Sequence, residues 1–209
     1  MIYAIKYPKW LRFLFPGRIW EMFGTKDKTI YLTFDDGPHP EHTDFVLNTL
    51  QDYNAKATFF CIGKNVETHP DVFNRIVAAG HAIGNHTHNH LNGWKTPDDT
   101  YLNDVDEAFK KIESSLFRPP YGKLTNRQAS LLKEKYPGLK IIMWTVLSGD
   151  FDQSISKEKC LQNVLSESSD NAIVVFHDSD KASVRLRYAL PEVLRYYSER
   201  GFSFKSLAV

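Results

Sequence analysis

The segment IYLTFDDGP, residues 30–38, is the one on which the fold prediction depends most. Apolar residues alternate with tyrosine and threonine up to Phe34, which predicts a strand with one strongly buried face. Asp35 and Asp36 end this strand, and Gly37–Pro38 then turns the chain away. Two adjacent carboxylates repel each other, whereas a bound cation would stabilise them and depress the pKa of a ligating carboxylate. A polar turn with solvated aspartates is the alternative that this segment alone leaves open.

Length and composition favour one large α/β domain. The chain has 209 residues, of which 42% are hydrophobic, enough for a sizeable core. Its 26 basic and 25 acidic residues nearly balance, so we expect no nucleic-acid partner. Cys61 and Cys160 have neither a metal-ligand spacing nor a C-x-x-C pattern. Because Cys61 lies in an apolar, strand-like run, a buried thiol is predicted there rather than a disulfide.

The first 27 residues form a basic, aromatic arm. Such a segment can lie on a membrane surface, so a weak membrane contact is one prediction. Pro8 and Pro16 interrupt the pattern, which instead favours an arm that covers the bottom or an edge of the fold. We recognise no bilayer-spanning run and no cleavable signal peptide, so a cytoplasmic or membrane-peripheral location is expected and the compartment stays open. The aromatic and basic residues are Tyr3, Tyr7, Trp10, Phe13, Phe15, Trp20, Phe23, Lys6, Lys9, Arg12 and Arg18.

From residue 29 onward, strand-like and helix-like segments alternate. Several strands are continuous apolar runs, which is typical of parallel sheets covered by helices. Seven strands without a glycine-rich first turn favour a barrel over an open doubly wound sheet. Pro70 and Pro191 are placed at first helical positions, and Gly80 and Gly201 just past helix ends. The predicted strands are 29–35, 56–62, 82–85, 116–118, 141–147, 172–177 and 202–205, and the predicted helices are 42–53, 70–79, 98–114, 125–136, 156–168 and 191–200.

Polar residues stand at or just after the ends of the predicted strands. They are Asp35, Asp36, His86, Arg118, Asp150 and His177. In a parallel barrel all strands run in the same direction, so these side chains are expected to meet at one rim. That rim is where the active sites of barrel enzymes are built.

The segment HTHNH, residues 86–90, places two imidazoles four residues apart. At one helical turn's distance, His86 and His90 can bind the same ion, whereas His88 falls on another face. Surface or core histidines are the alternative for this spacing alone. Joined by a carboxylate from the same rim, the pair leaves positions open for water and substrate, as catalytic divalent sites do. Iron oxygenases use the same ligand set, but that chemistry would explain neither a second aspartate nor His177.

The remaining rim residues suit an acid–base hydrolysis. The second aspartate could accept a proton from the attacking water, and Arg118 could hold that base ionised. Two prolines stiffen the RPPYG segment, residues 118–122, so the Tyr121 amide could face a developing oxyanion. A stiff loop without that role is the alternative. His177 is placed as a general acid, with a buried histidine bonded only to backbone as the alternative.

Together these motifs resemble the polysaccharide deacetylases of carbohydrate esterase family 4, the NodB-homology domain. The resemblance covers residues 28–209 as one catalytic domain and leaves residues 1–27 outside it. It implies a distorted (β/α)7 barrel of parallel strands in a single α/β domain. It also implies a divalent cation, usually Zn²⁺ with Co²⁺, Ni²⁺ or Mn²⁺ as alternatives, and the removal of acetyl groups from sugars.

Three motifs match the family pattern in full: TFDDG at residues 33–37, HTHNH at 86–90 and RPPYG at 118–122. The resemblance assigns Asp35 as the general base and Arg118 as the residue that orients it. It assigns Asp36, His86 and His90 as the metal ligands, and the Tyr121 backbone N–H as the oxyanion donor.

The last two motifs depart from the family pattern. Where the family usually has Asp-Trp, this chain has Asp150–Phe151, and Asp152 offers an alternative register. The resemblance implies that Asp150 tunes the acid His177 and that Phe151 lines the acetyl pocket. The fifth motif, usually Leu-x-His, is VFH at residues 175–177. The predicted substrate contacts are Pro120, Tyr121, Phe151 and Val175, and the departures leave the shape of the pocket open.

The predicted activity is metal-dependent hydrolysis of acetyl groups from an N-acetylglucosamine-containing polymer or oligomer, of the peptidoglycan or chitin type. The products would be acetate and a free amine. The acetylated saccharide is the predicted partner of a chain that we expect to be monomeric. The alternatives are an O-deacetylase of acetylated xylan and a non-catalytic carbohydrate-binding relative. A serine hydrolase is disfavoured because the sequence has no G-x-S-x-G elbow.

Overall fold

The computed structural model describes residues 3–22 and 28–207 of the protein. Within these ranges, nine short strands join into one curled sheet, accompanied by eight α-helices and two 3₁₀ helices, Gly93–Lys95 and Pro120–Gly122. The strands are β1 (Arg18–Ile19), β2 (Thr29–Asp35), β3 (Thr58–Cys61), β4 (Ala82–Asn85), β5 (Leu116–Phe117), β6 (Lys140–Ile142), β7 (Val146–Leu147), β8 (Ala172–His177) and β9 (Ser203–Phe204). The helices are α1 (Leu11–Leu14), α2 (His42–Asp52), α3 (Gly63–Thr68), α4 (Pro70–Ala78), α5 (Asp98–Phe109), α6 (Asn126–Lys135), α7 (Lys157–Glu167) and α8 (Ser183–Ser198).

The sheet curls into a half-barrel around its longest strand, β2. Its order is β1-β6-β5-β4-β3-β2-β8-β7, and β9 pairs with the start of β2. Every pairing between the named strands of the described ranges is parallel. All seven residues of β2 are buried, because helices α2 and α8 pack their apolar side chains against this part of the sheet. The predicted α/β barrel of parallel strands is confirmed in this curled form.

The carboxyl ends of the strands meet at one rim, as predicted. Asp35 ends β2 and stands in register with His177, which ends the neighbouring strand β8. Asn85 ends β4 and pairs with Phe117, the residue before Arg118. The parallel register therefore brings side chains from distant parts of the sequence together without any long-range sequence signal.

The N-terminal arm occupies the opening between the two end regions of the sheet. On one side, β1 of the arm pairs with β6. On the other, the N–H of Leu147 in β7 donates to the Ile5 carbonyl at 2.8 Å, and Tyr7 N–H donates to the Thr145 carbonyl at 3.1 Å. Tyr7 and Trp20 stack across the arm with their rings 4.9 Å apart. The arm thus covers an edge of the barrel, as the interrupted pattern favoured. Phe23 and residue 27, where the arm was predicted to end, lie in the segment 23–27, outside the described residues.

The predicted strand 141–147 is wrong as a single element. Strand β6 lies beside β5 and β1, whereas β7 lies beside β8 at the other end of the sheet. Between them the chain crosses the opening of the half-barrel, where Met143 N–H donates to the Ile19 carbonyl at 2.7 Å and Thr145 N–H to the Ile173 carbonyl at 2.9 Å. A continuous apolar run cannot distinguish one long strand from two short strands with different partners.

Helix ends follow the proline and glycine signals with one exception. Pro70 begins α4, and Gly80 and Gly201 follow helix ends with positive φ, as predicted. The prediction that Pro191 begins a helix is wrong, because α8 starts at Ser183 and Pro191 lies inside it. Buried apolar side chains continue at helical spacing on both sides of the proline, so their packing outweighs the backbone hydrogen bond that proline cannot make. The sequence patterns also miss α3 and extend α5 too far.

Two further observations limit the classes of protein. None of the helices in residues 3–22 and 28–207 has the length and apolar character needed to cross a bilayer. Cys61 and Cys160 are both buried free thiols, which confirms the buried thiol predicted for Cys61. Burial raises the pKa of both thiols, so they stay protonated and unreactive at neutral pH.

Candidate active site

The turn after β2 sends its two aspartates to different partners. Asp36 has a φ of 79°, in the left-handed region, while the preceding Asp35 keeps strand geometry. Asn65 Nδ2 donates to the Asp36 carbonyl at 2.7 Å, and Gly37 N–H donates to Asp178 Oδ1 at 3.1 Å. A Cβ at position 37 would collide with the Asp178 carboxylate, so this turn requires glycine.

Asp36, His86 and His90 converge on one point of the rim. His90 Nε2 lies 3.2 Å from Asp36 Oδ1, and His86 Nε2 lies 3.7 Å from the same oxygen. One ligand atom from each residue lies within 4.8 Å of the others. Asp36 Oδ1 is buried and has no hydrogen-bond partner among the described residues. The structure therefore brings the predicted ligand set together around an unsatisfied carboxylate oxygen.

The protonation states of this cluster suit a divalent cation. His86 Nδ1 can only donate to the Arg118 carbonyl, 2.7 Å away, so the neutral ring directs an Nε2 lone pair into the cluster. Burial lowers the pKa of His86 to about 4, which keeps that ring neutral. Burial opposes ionisation of Asp36, but His90 and His177 outweigh it and hold the Asp36 pKa well below its usual value. A carboxylate facing a nitrogen lone pair is repulsive without a cation, so these residues fit one.

A loop, rather than the predicted helical turn, positions the two histidines. Thr87 and His90 have φ values of 64° and 56°, and two left-handed residues this close are incompatible with an α-helix. Asp104 on α5 holds the loop, because its Oδ2 accepts hydrogen bonds from the N–H groups of His88 at 2.9 Å and Asn89 at 3.0 Å. The two rings do come together, 5.1 Å apart, as the i, i+4 spacing predicted, but a loop and not a helical turn brings them there.

The other aspartate of the motif, Asp35, is held by a buried arginine. Arg118 Nη1 donates to Asp35 Oδ1 and to Thr33 Oγ1, both at 2.7 Å, and Nη2 donates to a backbone carbonyl at 2.8 Å. The Phe60 ring lies 4.1 Å from the guanidinium carbon. Asp35 Oδ2 is 4.0 Å from His86 Nε2. One oxygen of Asp35 is therefore fixed by the arginine, while the other faces the histidine cluster.

His177 is paired with Asp150 on the opposite side of the cluster. Its Nδ1 lies 2.8 Å from Asp150 Oδ1, and its backbone N–H donates to Asp150 Oδ2 at 2.7 Å. Arg185 Nε donates to the Asp150 carbonyl at 2.6 Å. Burial disfavours the imidazolium, but Asp150 outweighs it and raises the pKa of His177 to about 10. Asp152, the alternative register, instead accepts a hydrogen bond from Tyr3 at 3.0 Å.

The four predicted substrate contacts differ in accessibility. Tyr121 is 60% exposed, and its ring lies 4.6 Å from that of His90. Phe151 is half-buried and packs edge-on against the ring of the predicted acid at 5.2 Å. Val175 is only 1% exposed and Pro120 is also buried, because the sheet and the loop enclose them. These two residues can act on a sugar only through the neighbours that they support.

Three buried residues support the site without a role predicted from the sequence. Thr33 accepts a hydrogen bond from Arg118, Asp178 accepts one from the turn that contains Asp36, and Arg185 donates to the backbone of Asp150. Thr33 and Asp178 lie within two residues of predicted site residues, so their position was a usable signal. Arg185 is on α8, where nothing local distinguishes it from a surface arginine.

Comparison with known proteins gives the family. Residues 24–136 match the family model described as polysaccharide deacetylase. A peptidoglycan-N-acetylglucosamine deacetylase from Bacillus cereus is 32% identical over 195 residues, which cover 90% of each chain. A second protein of that name and organism is 32% identical over 185 residues, which cover 85% of this chain but 66% of the relative.

Comparison with a solved structure indicates the same family. The structure of a peptidoglycan N-acetylglucosamine deacetylase in complex with 4-naphthalen-1-yl-N-oxidanyl-benzamide superposes with a TM-score of 0.86 and 28% identity. The superposition covers 96% of this chain and 95% of that one. The chain belongs to the polysaccharide deacetylase family, which confirms the resemblance to carbohydrate esterase family 4.

Proposed function

We propose that this protein is a metal-dependent N-deacetylase that removes acetyl groups from N-acetylglucosamine units of a peptidoglycan- or chitin-type saccharide. The observation that carries the proposal is one rim that combines a three-ligand cluster with a buried base–arginine pair and a buried acid–aspartate pair. The names of the relatives support peptidoglycan as the first substrate to test.

Asp36, His86 and His90 would hold the cation, which when bound supplies positive charge that polarises the acetyl carbonyl and acidifies water. Two histidines and one carboxylate are a common protein ligand set in catalytic zinc sites. The compound bound by the structural relative carries an N-oxidanyl amide, in which two adjacent oxygens can bind one cation. That chemistry supports a metal in this family's site and, with the unsatisfied Asp36 oxygen, in this chain.

Asp35 is the proposed base that takes a proton from the attacking water. Its Oδ1 is held by Arg118, so the carboxylate cannot rotate, and its Oδ2 is directed toward the cluster. A carboxylate held in this way is placed to accept a proton from a water at the cluster. Asp35 and His177 are in register at the ends of neighbouring strands, so the proposed base and acid lie next to each other at the rim.

His177 is the proposed acid that protonates the leaving nitrogen. Its Nδ1 is engaged with Asp150, so Nε2 is the atom free to deliver a proton. Its raised pKa keeps the imidazolium populated at neutral pH, where a free histidine would be mostly neutral. An amine is expelled only after protonation, whereas a sugar alkoxide needs less assistance. A group at this position that is protonated at neutral pH therefore suits N-deacetylation better than O-deacetylation.

Release of acetate and of new amines tests the proposal. Protein treated with a chelator and then reloaded with Zn²⁺ or Co²⁺ is incubated with peptidoglycan, chitooligosaccharides and acetylxylan. We expect equal amounts of acetate and primary amine from the N-acetylglucosamine substrates, and no release by the metal-free protein. Full activity after chelation would contradict the metal, and acetate from acetylxylan alone would identify an O-deacetylase. Absence of release from every substrate by metal-loaded protein would identify a non-catalytic relative.

A further inference from the structure

A series of ring contacts leads from Tyr3 in the N-terminal arm through Phe151 to His177, the proposed acid. The Tyr3 ring lies 5.0 Å from the Phe151 ring at an angle of 54°. Phe151 in turn meets the His177 ring edge-on, at 5.2 Å and 75°. Tyr3 is 148 positions before Phe151 in the sequence, so this contact depends entirely on how the arm is docked.

The docking of the arm directs Tyr3 to the catalytic rim. Lys6 bridges Val146 of β7 in the antiparallel sense. Since β7 runs toward Asp150 at the rim, an antiparallel neighbour must reach the rim at its own N-terminal end. Tyr3 is three residues before that bridge and therefore lies where β7 delivers Asp150 and Phe151.

The Tyr3 hydroxyl is anchored on the loop after β7. It donates to Asp152 Oδ2 at 3.0 Å, while Asp152 Oδ1 accepts from Ser154 N–H at 3.0 Å and from Ser154 Oγ at 2.6 Å. Gly149 has a φ of +79°, and a Cβ there would lie 3.0 Å from the Tyr3 hydroxyl. The loop thus leaves room for the hydroxyl and offers it a fixed acceptor. Burial, followed by Asp152, raises the Tyr3 pKa, so the phenol keeps the proton that it donates.

We propose that Tyr3 is a positioning residue that, through Phe151, sets the width of the space beside His177 in which the acyl group of the substrate lies. The inference rests on the proposed deacetylase function. Among the described residues, Phe151 makes ring contacts with Tyr3 on one side and with His177 on the other. A phenylalanine ring that loses one of two supports can turn into the vacated volume, which would widen the space beside the acid.

Acyl-chain selectivity measures this width. N-acetyl and N-propionyl chitooligosaccharides are compared with wild type, Tyr3→Ala, Tyr3→Phe and the control Phe13→Ala, which removes an exposed ring elsewhere on the arm. A pocket that just fits an acetyl group discriminates against one extra methylene. Because Tyr3→Ala should widen the pocket, it should raise the propionyl-to-acetyl ratio of kcat/KM by about tenfold. Tyr3→Phe keeps the ring but loses the hydrogen bond to Asp152, so its ratio should lie between those of wild type and Tyr3→Ala. Phe13→Ala should stay near wild type.

A second substitution tests whether volume is the cause. Adding Phe151→Trp to Tyr3→Ala places a larger ring in the vacated space. The double variant should recover at least half of the lost selectivity, whereas Phe151→Trp alone should lower kcat/KM because Tyr3 already fills that space. The melting temperature of each variant shows whether the arm remains docked, and selectivity is compared only among folded proteins.

A spectroscopic measurement keeps the inference separate from the proposed activity. In metal-free protein with ¹⁵N-labelled histidine, the ring resonances of His177 should shift in Tyr3→Ala and stay in place in Phe13→Ala. If wild type releases no acetate from any substrate, the deacetylase proposal fails while this spectrum still reports the Tyr3–Phe151–His177 contact. Unchanged acyl selectivity in an active enzyme, or unchanged His177 resonances in Tyr3→Ala, would show that Tyr3 is only a structural contact and would overturn the proposal.

Discussion

The rim that carries the candidate site and the N-terminal arm place their side chains in opposite environments. At the rim, charged groups are buried: Arg118 has no exposed surface, and Asp35 is 4% exposed. On the arm, large apolar groups face solvent: Trp10 is 58% exposed and Phe13 is 75% exposed. Burying charge is unfavourable unless the charge is paired, and at the rim Arg118 is paired with Asp35. Exposed aromatic rings that lie together instead mark a surface that can contact another molecule.

The two regions should respond differently to substitution. A buried ion pair that loses one partner leaves an uncompensated charge, so single changes at the rim should alter activity, and each should also alter metal content, stability or pH dependence according to the partner that is lost. An exposed ring can be removed without leaving a cavity, so single changes on the arm should leave the fold intact. The first three predictions below test the rim, and the last tests the arm.

The largest effect is expected from His86→Ala. This change removes a nitrogen that faces Asp36 Oδ1, and the two remaining ligands should not retain the cation. We expect metal-free protein and a loss of at least about 10³-fold in kcat, measured by elemental analysis and acetate release. His88→Ala on the same loop is the control and should stay metal-loaded, since His88 is outside the cluster. A metal-loaded His86→Ala variant would remove His86 from the ligand set.

The next effect is expected from Asp35→Asn. The amide cannot accept a proton as a base, so kcat should fall by about 10²-fold or more while the cation stays bound. The change also leaves Arg118 without its anionic partner, so the melting temperature should fall. Asp44→Asn, which weakens an exposed pair with Arg75, should change neither quantity. A metal-free Asp35→Asn variant would show that the roles of the two adjacent aspartates are exchanged.

A smaller effect is expected from Asp150→Asn, on pH dependence. Asp150 raises the pKa of His177, so its loss lowers that pKa and the acid loses its proton at lower pH. The alkaline limb of the kcat/KM profile should therefore move to lower pH while metal content is unchanged. Asp152→Asn is the matched control, because Asp152 contacts Tyr3 and not His177. A water bound to the proposed cation would titrate in the same range, so the difference between the variants is the quantity to compare.

The rim was predictable from sequence to a greater extent than the elements that build it. The polar residues at strand ends are visible in the local sequence, and parallel strands bring those ends together. The positions of Asp35, Asp36 and His177 at one rim could therefore be predicted from the sequence. The loop conformation of residues 86–90 could not, because Asp104 imposes it from another element. For the same reason the interior position of Pro191 was missed, since tertiary packing decided it.

For the arm, the sequence predicted the residue composition but not the contacts. Its aromatic and basic residues are visible in the sequence, and so are the prolines that interrupt them. Its pairing with β6 on one side and β7 on the other is not, because both contacts are between residues more than 100 positions apart. The contact of Tyr3 with Phe151 could not be predicted for the same reason.

The smallest effect is expected from the exposed side of the arm, where membrane contact is the remaining prediction. Trp10, Phe13 and Leu14 are all more than half exposed, and the basic residues Lys9 and Arg12 lie among them. Aromatic and cationic side chains in one exposed segment are typical of proteins that bind the surface of anionic bilayers. The protein should therefore sediment weakly with vesicles containing phosphatidylglycerol, less so at high salt, and not with phosphatidylcholine alone.

Substitution on the arm separates this surface from the rim. The triple change Trp10→Ala, Phe13→Ala and Leu14→Ala should reduce vesicle binding by about tenfold, because each side chain contributes only a small buried area. Val184→Ala, which removes an exposed apolar side chain on α8, is the control and should leave binding unchanged. Both variants should release acetate from a soluble oligosaccharide at the wild-type rate, since neither touches the rim. Equal binding to neutral and anionic vesicles would mean that the basic residues of the arm make no electrostatic contribution. Full binding by the triple variant would mean that these three side chains do not contact a membrane.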